Sequence, residues 1–157
     1  HDKKIGHNDN KIYAGTALLL APGAVQIYYG DEIDRKPAYT DCSDDGQPAR
    51  SDYDWNHNNH HVLEHWQKLG QFRNNHPAVG AGTQEDLGNN TYLRTYKNDK
   101  VVIRINAEGT TTVNVGSAFA DGSTLRNAYT GNEAAVTDGT VQFEAGEHGV
   151  ILIEKSN

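Results

Sequence analysis

Ala21-Pro22-Gly23-Ala24-Val25-Gln26-Ile27-Tyr28-Tyr29-Gly30-Asp31-Glu32 is the stretch on which the fold of this 157-residue chain turns. Proline cannot continue a helix and glycine accepts a positive φ, so Pro22-Gly23 ends the helix before it. Val25 to Tyr29 is β-rich and closes on Gly30, the pattern of a short buried strand. Upstream, Asp9 reads as an N-cap, and Ile12, Tyr13, Ala17, Leu18, Leu20 and Ala21 form a helical stripe. Helix, short loop and buried strand is the unit that a βα barrel or a doubly wound sheet repeats.

Downstream of Glu32 a polar loop rich in Asp, Pro, Gly and Ser runs to about Asn59. Loops of that length in compact domains are usually functional or disordered. From His61 to Asn75 the helical spacing returns, with Val62, Leu63, Trp66, Leu69 and Phe72 on one face, and Pro77 ends it. The rhythm changes at Gly80-Ala81-Gly82. Beyond it Thr91–Tyr96, Val101–Ile105, Thr111–Val115, Val141–Glu144 and Val150–Ile153 are strand-like and separated by Asn-Asp, Glu-Gly, Asp-Gly and Thr-Gly turn signals. The expectation is an α/β part at 1–81 and an all-β part at 82–157, the latter an antiparallel sandwich of Greek-key type.

Composition narrows the classes. A hydrophobic content of 36% with 22% charged residues describes a globular chain with a modest core. No apolar run approaches the roughly 20 residues of a membrane span, and the polar start His1-Asp2-Lys3-Lys4 has no signal-peptide pattern. A formal charge of −7 with scattered basic residues argues against a nucleic-acid partner and suits a neutral substrate. Cys42, the single cysteine, sits among Asp41, Ser43 and Asp44, where a thiolate is disfavoured; there is no cysteine-built zinc site.

The order His1-Asp2, then the helix Ala14-Gly15-Thr16-Ala17-Leu18-Leu19-Leu20-Ala21, then Val25-Gln26-Ile27-Tyr28-Tyr29-Gly30-Asp31-Glu32, resembles the end of the catalytic barrel in the α-amylase family of glycoside hydrolases. The β-rich half is similar to that family's domain C. Trp55, Trp66 and His76-Pro77 look closest to bacterial secreted or periplasmic members. The resemblance implies the last strand and helices of a TIM (β/α)8 barrel at 1–81 followed by domain C at 82–157. It also implies that the chain is a carboxy-terminal fragment of a larger enzyme.

The same resemblance implies chemistry. Retaining glycosidases use a nucleophilic carboxylate and a general acid about 5 Å apart around an oxocarbenium-like transition state. His1-Asp2 matches the family's third element, so Asp2 would stabilise the transition state and His1 would bind the same sugar. The nucleophile and acid have no counterpart in this sequence. Asp44-Asp45-Gly46-Gln47-Pro48-Ala49-Arg50 resembles a sugar-contacting loop, with Asp45 and Arg50 as substrate-binding residues, and Arg50 offers a planar fork of donors. The implied activity is hydrolysis of α-1,4-glucosidic bonds in starch-like glucans, the fragment alone being inactive. Alternatives are an α-glucosidase or glucanotransferase of the same family, or a β domain serving as a carbohydrate-binding or structural module.

Implied partners are an α-glucan and the rest of the barrel or a second copy of the chain, in a secreted or periplasmic setting. Ile27, Leu18 and Leu19 would otherwise face water. Family members usually bind calcium, mainly through residues upstream of this region, so no metal site is expected in this chain.

Several residues carry bland readings beside sharper ones. Gly30-Asp31-Glu32 is expected to be structural. Trp55 either stacks on a sugar or anchors its loop in the core. In the β half a stacking platform would draw on Tyr92, Tyr96, Tyr129 or Phe143. His57, His60, His61 and His65 cluster, and His61 with His65 has i, i+4 spacing, but without HExxH or a third ligand the expectation is polar helix surface. Asn89-Asn90-Thr91 matches a glycosylation acceptor pattern that means little in a bacterial protein.

Overall fold

A computed structural model describes residues 9–35, 51–56 and 59–156. Helix α1 spans Asp9–Leu19, α2 His60–Asn75 and α3 Pro77–Ala81. Eight strands follow: β1 Thr83–Gly88, β2 Thr91–Tyr96, β3 Asp99–Arg104, β4 Thr110–Asn114, β5 Thr124–Asn127, β6 Glu133–Ala135, β7 Thr140–Glu144 and β8 Ile151–Lys155. They form a six-stranded sheet ordered β1-β2-β3-β8-β5-β6 and a two-stranded sheet β4-β7, with every pairing antiparallel.

The described residues stack in three layers: helices, the six-stranded sheet, then β4-β7. Strand sequence follows layer position. Val101-Val102-Ile103 of β3 and Ile151-Leu152-Ile153 of β8 are buried on both faces of the sheet and so are continuously apolar. Register pairs Ile103 with Leu152 and Val102 with Ile153. The first pair joins Leu19, Leu20, Val62, Trp66, Leu69 and Phe72 in the helix-facing core; the second joins Val113, Val141 and Phe143 in the core between the sheets. β7 faces water on one side, so its residues alternate between buried and open. One continuous cluster thus unites residues on both sides of Ala81.

The structure corrects several sequence expectations. Val25 to Tyr29 is not a strand: no ladder partner for it exists among the described residues, and Ile27 and Tyr29 are exposed. A central barrel strand needs neighbours on both edges to satisfy its backbone, and the described residues supply none. Helix α1 presents the expected stripe only in part: Ile12, Leu18 and Leu20 lie in or against the helix-facing core. Tyr13 is 66% exposed and Ala17 is open, whereas Lys11, Gly15 and Leu19 point inward. Leu19, expected to face water, is buried under α2 and the sheet. Pro77 starts α3 rather than merely ending α2, since its missing N–H costs nothing at a first helical position. β1, β5 and β6 were not legible: they are short or polar strands formed by pairing rather than by apolar pattern.

Two arginines close the end of α1. Arg73 of α2 donates through Nη1 to the carbonyls of Leu19 (2.9 Å) and Ala21 (2.8 Å), and through Nη2 to Gly23. Arg94 of β2 donates to the carbonyl of Leu20 at 2.9 Å. Carbonyls left over at a helix end need donors, and these come from α2 beside it and from the sheet beneath, locking α1 to both.

Candidate functional site

The described residues surround an open cavity of about 430 Å³ where α2 meets the turns after β5 and β7. On α2, His61, Glu64, His65 and Lys68 fall three and four residues apart and so share one face. The helix start is fixed by Asn59, whose side chain accepts from the Val62 N–H at 3.3 Å. Across the cavity stand Tyr129, Glu147 and His148. Their turn is held by Gly149, at φ +66°, whose carbonyl accepts from Ala107 N–H at 2.9 Å. A Cβ there would lie 2.8 Å from the Ala107 oxygen, so only glycine fits.

His65 is the buried member, only 1% exposed, which overturns its expected place on the polar helix surface. Its Nε2 lies 3.1 Å from the Ile12 carbonyl and 2.9 Å from Thr16 Oγ1; its Nδ1 lies 2.7 Å from the Tyr129 hydroxyl. A carbonyl only accepts, so Nε2 carries the proton and Nδ1 accepts from Tyr129. Thr16 Oγ1 donates to the Ile12 carbonyl as well. Burial, followed by the neighbouring His148, pushes the His65 pKa down to about 4, so the ring is neutral at pH 7. Burial raises the Tyr129 hydroxyl above its ordinary value, which keeps it a donor. This histidine ties α1, α2 and the turn after β5 together. Its signal was in the sequence: position 65 lies three residues after Val62 and four before Leu69, on the buried stripe.

The other cavity groups are wetter. His61 Nδ1 is 3.8 Å from Glu147 Oε2, with side chains 51% and 76% exposed. The His148 ring meets His61 edge-on at 4.6 Å and His65 at 4.8 Å between centroids. Burial and then the His61 charge lower the His148 pKa. Lys68 pairs with Glu64 at 2.8 Å, one turn along α2.

His1, Asp2, Asp45 and Arg50, the residues expected to touch substrate, lie outside the described residues, as do Cys42 and His57. The segment after Arg50 is described. Tyr29 donates its hydroxyl proton to the Ser51 carbonyl at 2.8 Å, and Arg35 bonds the Ser51 hydroxyl. Trp55 is 80% exposed with its ring 4.4 Å from that of Tyr53, so it does not anchor its loop in the core. Gly30-Asp31-Glu32 has structural work: Lys11 donates to the buried Asp31 at 2.5 Å, and Glu32 accepts from the Gly30 N–H at 2.9 Å. Tyr129 and Phe143 are buried, which leaves Tyr92 and Tyr96 as the partly open members of the suggested stacking set.

No protein-family model matches the sequence. The chain is 45% identical over 96 residues to the periplasmic alpha-amylase of Escherichia coli (strain K12), an alignment covering 57% of this chain and 14% of that protein. Its fold matches an Anoxybacillus alpha-amylase with a TM-score of 0.69 at 23% identity, covering 94% of this chain and 33% of that one. The alpha-amylase of Geobacillus thermoleovorans, solved with acarbose, matches with a TM-score of 0.71 at 19% identity over 94% of this chain and 33% of its own. A Nostoc punctiforme debranching enzyme matches with a TM-score of 0.61 at 20% identity, over 93% of this chain and 31% of its own. The chain therefore spans a third or less of the proteins it resembles. In sequence over 96 residues, and in fold over nearly all its length, this chain is similar to part of the larger alpha-amylases.

Proposed function

We propose that this chain forms part of an α-amylase that hydrolyses α-1,4-glucosidic bonds of starch-like glucans with retention of configuration. The observation that carries the reading is the 45% identity over 96 residues to a periplasmic alpha-amylase. In this reading Asp2 stabilises the oxocarbenium-like transition state, His1 binds the same sugar, and Asp45 and Arg50 contact sugars beside it. The carboxylate nucleophile and general acid come from the rest of the enzyme, and calcium is held there too. The protein works in the periplasm or outside the cell.

The described residues serve as scaffold. The unpaired run from Ala24 to Tyr28, with Ile27 and Tyr29 exposed and a cavity of about 350 Å³ lined by Leu19, Ile27, Tyr29, Leu63 and Trp66, suits docking of the remaining barrel. Trp55 on Tyr53 offers a flat aromatic face of the kind that stacks on sugar rings.

Starch hydrolysis by the full-length protein tests the reading. Asp2→Asn is expected to lower kcat by about 10²–10³-fold, the usual loss when one charge-stabilising contact to a transition state is removed. The chain by itself is expected to release no reducing sugar. Full kcat in Asp2→Asn, or sugar release by the chain alone, overturns it.

A further inference from the structure

We propose that His61, Glu147 and His148 form a binding site for a zinc-class divalent metal that clasps the first turn of α2 to the turn between β7 and β8. One ligand atom from each residue lies within 4.8 Å of the others, although the three come from positions up to 87 apart in the chain. Helical spacing suggested His61 with His65, and that pair is ruled out because both nitrogens of His65 are already engaged, by Ile12 and Thr16 on one side and Tyr129 on the other. The partner of His61 is instead His148, edge-on at 4.6 Å between rings.

The donor set selects the ion. Two imidazole nitrogens and one carboxylate oxygen suit zinc and its late first-row neighbours, whereas calcium and magnesium prefer an all-oxygen shell. Around a tetrahedral zinc with bonds of about 2.0–2.2 Å, donor atoms lie roughly 3.3–3.5 Å apart. His61 Nδ1 and Glu147 Oε2 already stand at 3.8 Å on exposed side chains, so small χ rotations close the difference. The backbone on each side is fixed, by the Asn59 cap and by the Gly149 turn. Lys68, a cation of the same cavity, is paired with Glu64. With three protein ligands the fourth position opens into the cavity and takes water.

Isothermal titration of zinc chloride into the EDTA-treated full chain, with calcium chloride beside it, tests the site. Wild type is expected to bind one zinc equivalent that His61→Ala and His148→Ala each lose or weaken by roughly tenfold or more, the scale of perturbed metal ligation. His60→Ala, on the same helix turn, keeps it. His61 is half exposed, so His61→Ala folds and separates ligand loss from unfolding. Zinc is also expected to raise the Tm of wild type and not of His148→Ala. Unchanged zinc binding in both alanine variants, or binding of calcium in preference to zinc, overturns the proposal.

Discussion

At His65 a side chain usually met at surfaces acts as a joint of the core. It accepts a hydrogen bond from the Tyr129 hydroxyl and donates one to the Ile12 carbonyl, so three separate pieces of backbone meet on one ring. Removing the hydroxyl leaves Nδ1 buried with no donor, and an orphaned buried acceptor costs about 1–3 kcal/mol. Tyr129→Phe is therefore expected to lower unfolding free energy by about that amount in urea titrations, although it deletes a single atom. A change below about 0.5 kcal/mol would show that the bond contributes little. The residue types and the stripe position of His65 were readable beforehand; its partners were not. Thr16 and Tyr129 lie 49 and 64 residues away, and only packing brings them to the ring.

At the scale of the element, α1 shows where apolar spacing falls short: Ile12, Leu18 and Leu20 do reach the core, whereas Tyr13 and Ala17 do not. Its inward positions also include Lys11, Gly15 and Leu19, a charged residue, a residue without a side chain and a leucine outside the expected stripe. Lys11 turns inward because Asp31 waits there, and Gly15 because Trp66 crosses the helix at that point and donates its indole N–H to the Lys11 carbonyl at 3.0 Å. A Cβ on residue 15 would stand 2.7 Å from Trp66 Nε1. Exposed helical Gly→Ala changes stabilise by up to about 1 kcal/mol. Here overpacking, which costs about 1–3 kcal/mol, outweighs that gain. Gly15→Ala is expected to lower the Tm, and a raised Tm would mean that Trp66 can move aside at little cost. The β half was more legible, because β2, β3, β4, β7 and β8 announce themselves by β-branched runs and alternation. β1 did not, since Thr83-Gln84-Glu85-Asp86 is an open edge segment that becomes a strand only through its ladder with β2.

For the whole molecule, the helix layer, the sheet and the histidine joint make stability depend on pH in a definite direction. The His65 pKa falls from an ordinary value of 6.5 to about 4 on folding. Between those values the unfolded chain binds a proton that the folded chain refuses, so stability is complete above pH 6.5 and declines as pH falls toward 4. The lowered His148 adds in the same direction. A shift of this size corresponds to about 3 kcal/mol. Urea midpoints measured from pH 7 to 4 are expected to fall, and His65→Gln is expected to flatten that stretch of the profile; an equal slope in the variant would place the dependence elsewhere.

The sequence by itself determined the antiparallel character of residues 82–157 and the helix at 61–75. These rest on local periodicity and turn chemistry, which neighbours along the chain carry. Only the tertiary structure decided which face of α1 is inside, that Val25 to Tyr29 pairs with no strand among the described residues, and that His61 meets His148 rather than His65. Each of those depends on groups dozens of residues apart, and burial, hydrogen-bond partners and ligand geometry are set by where packing places them.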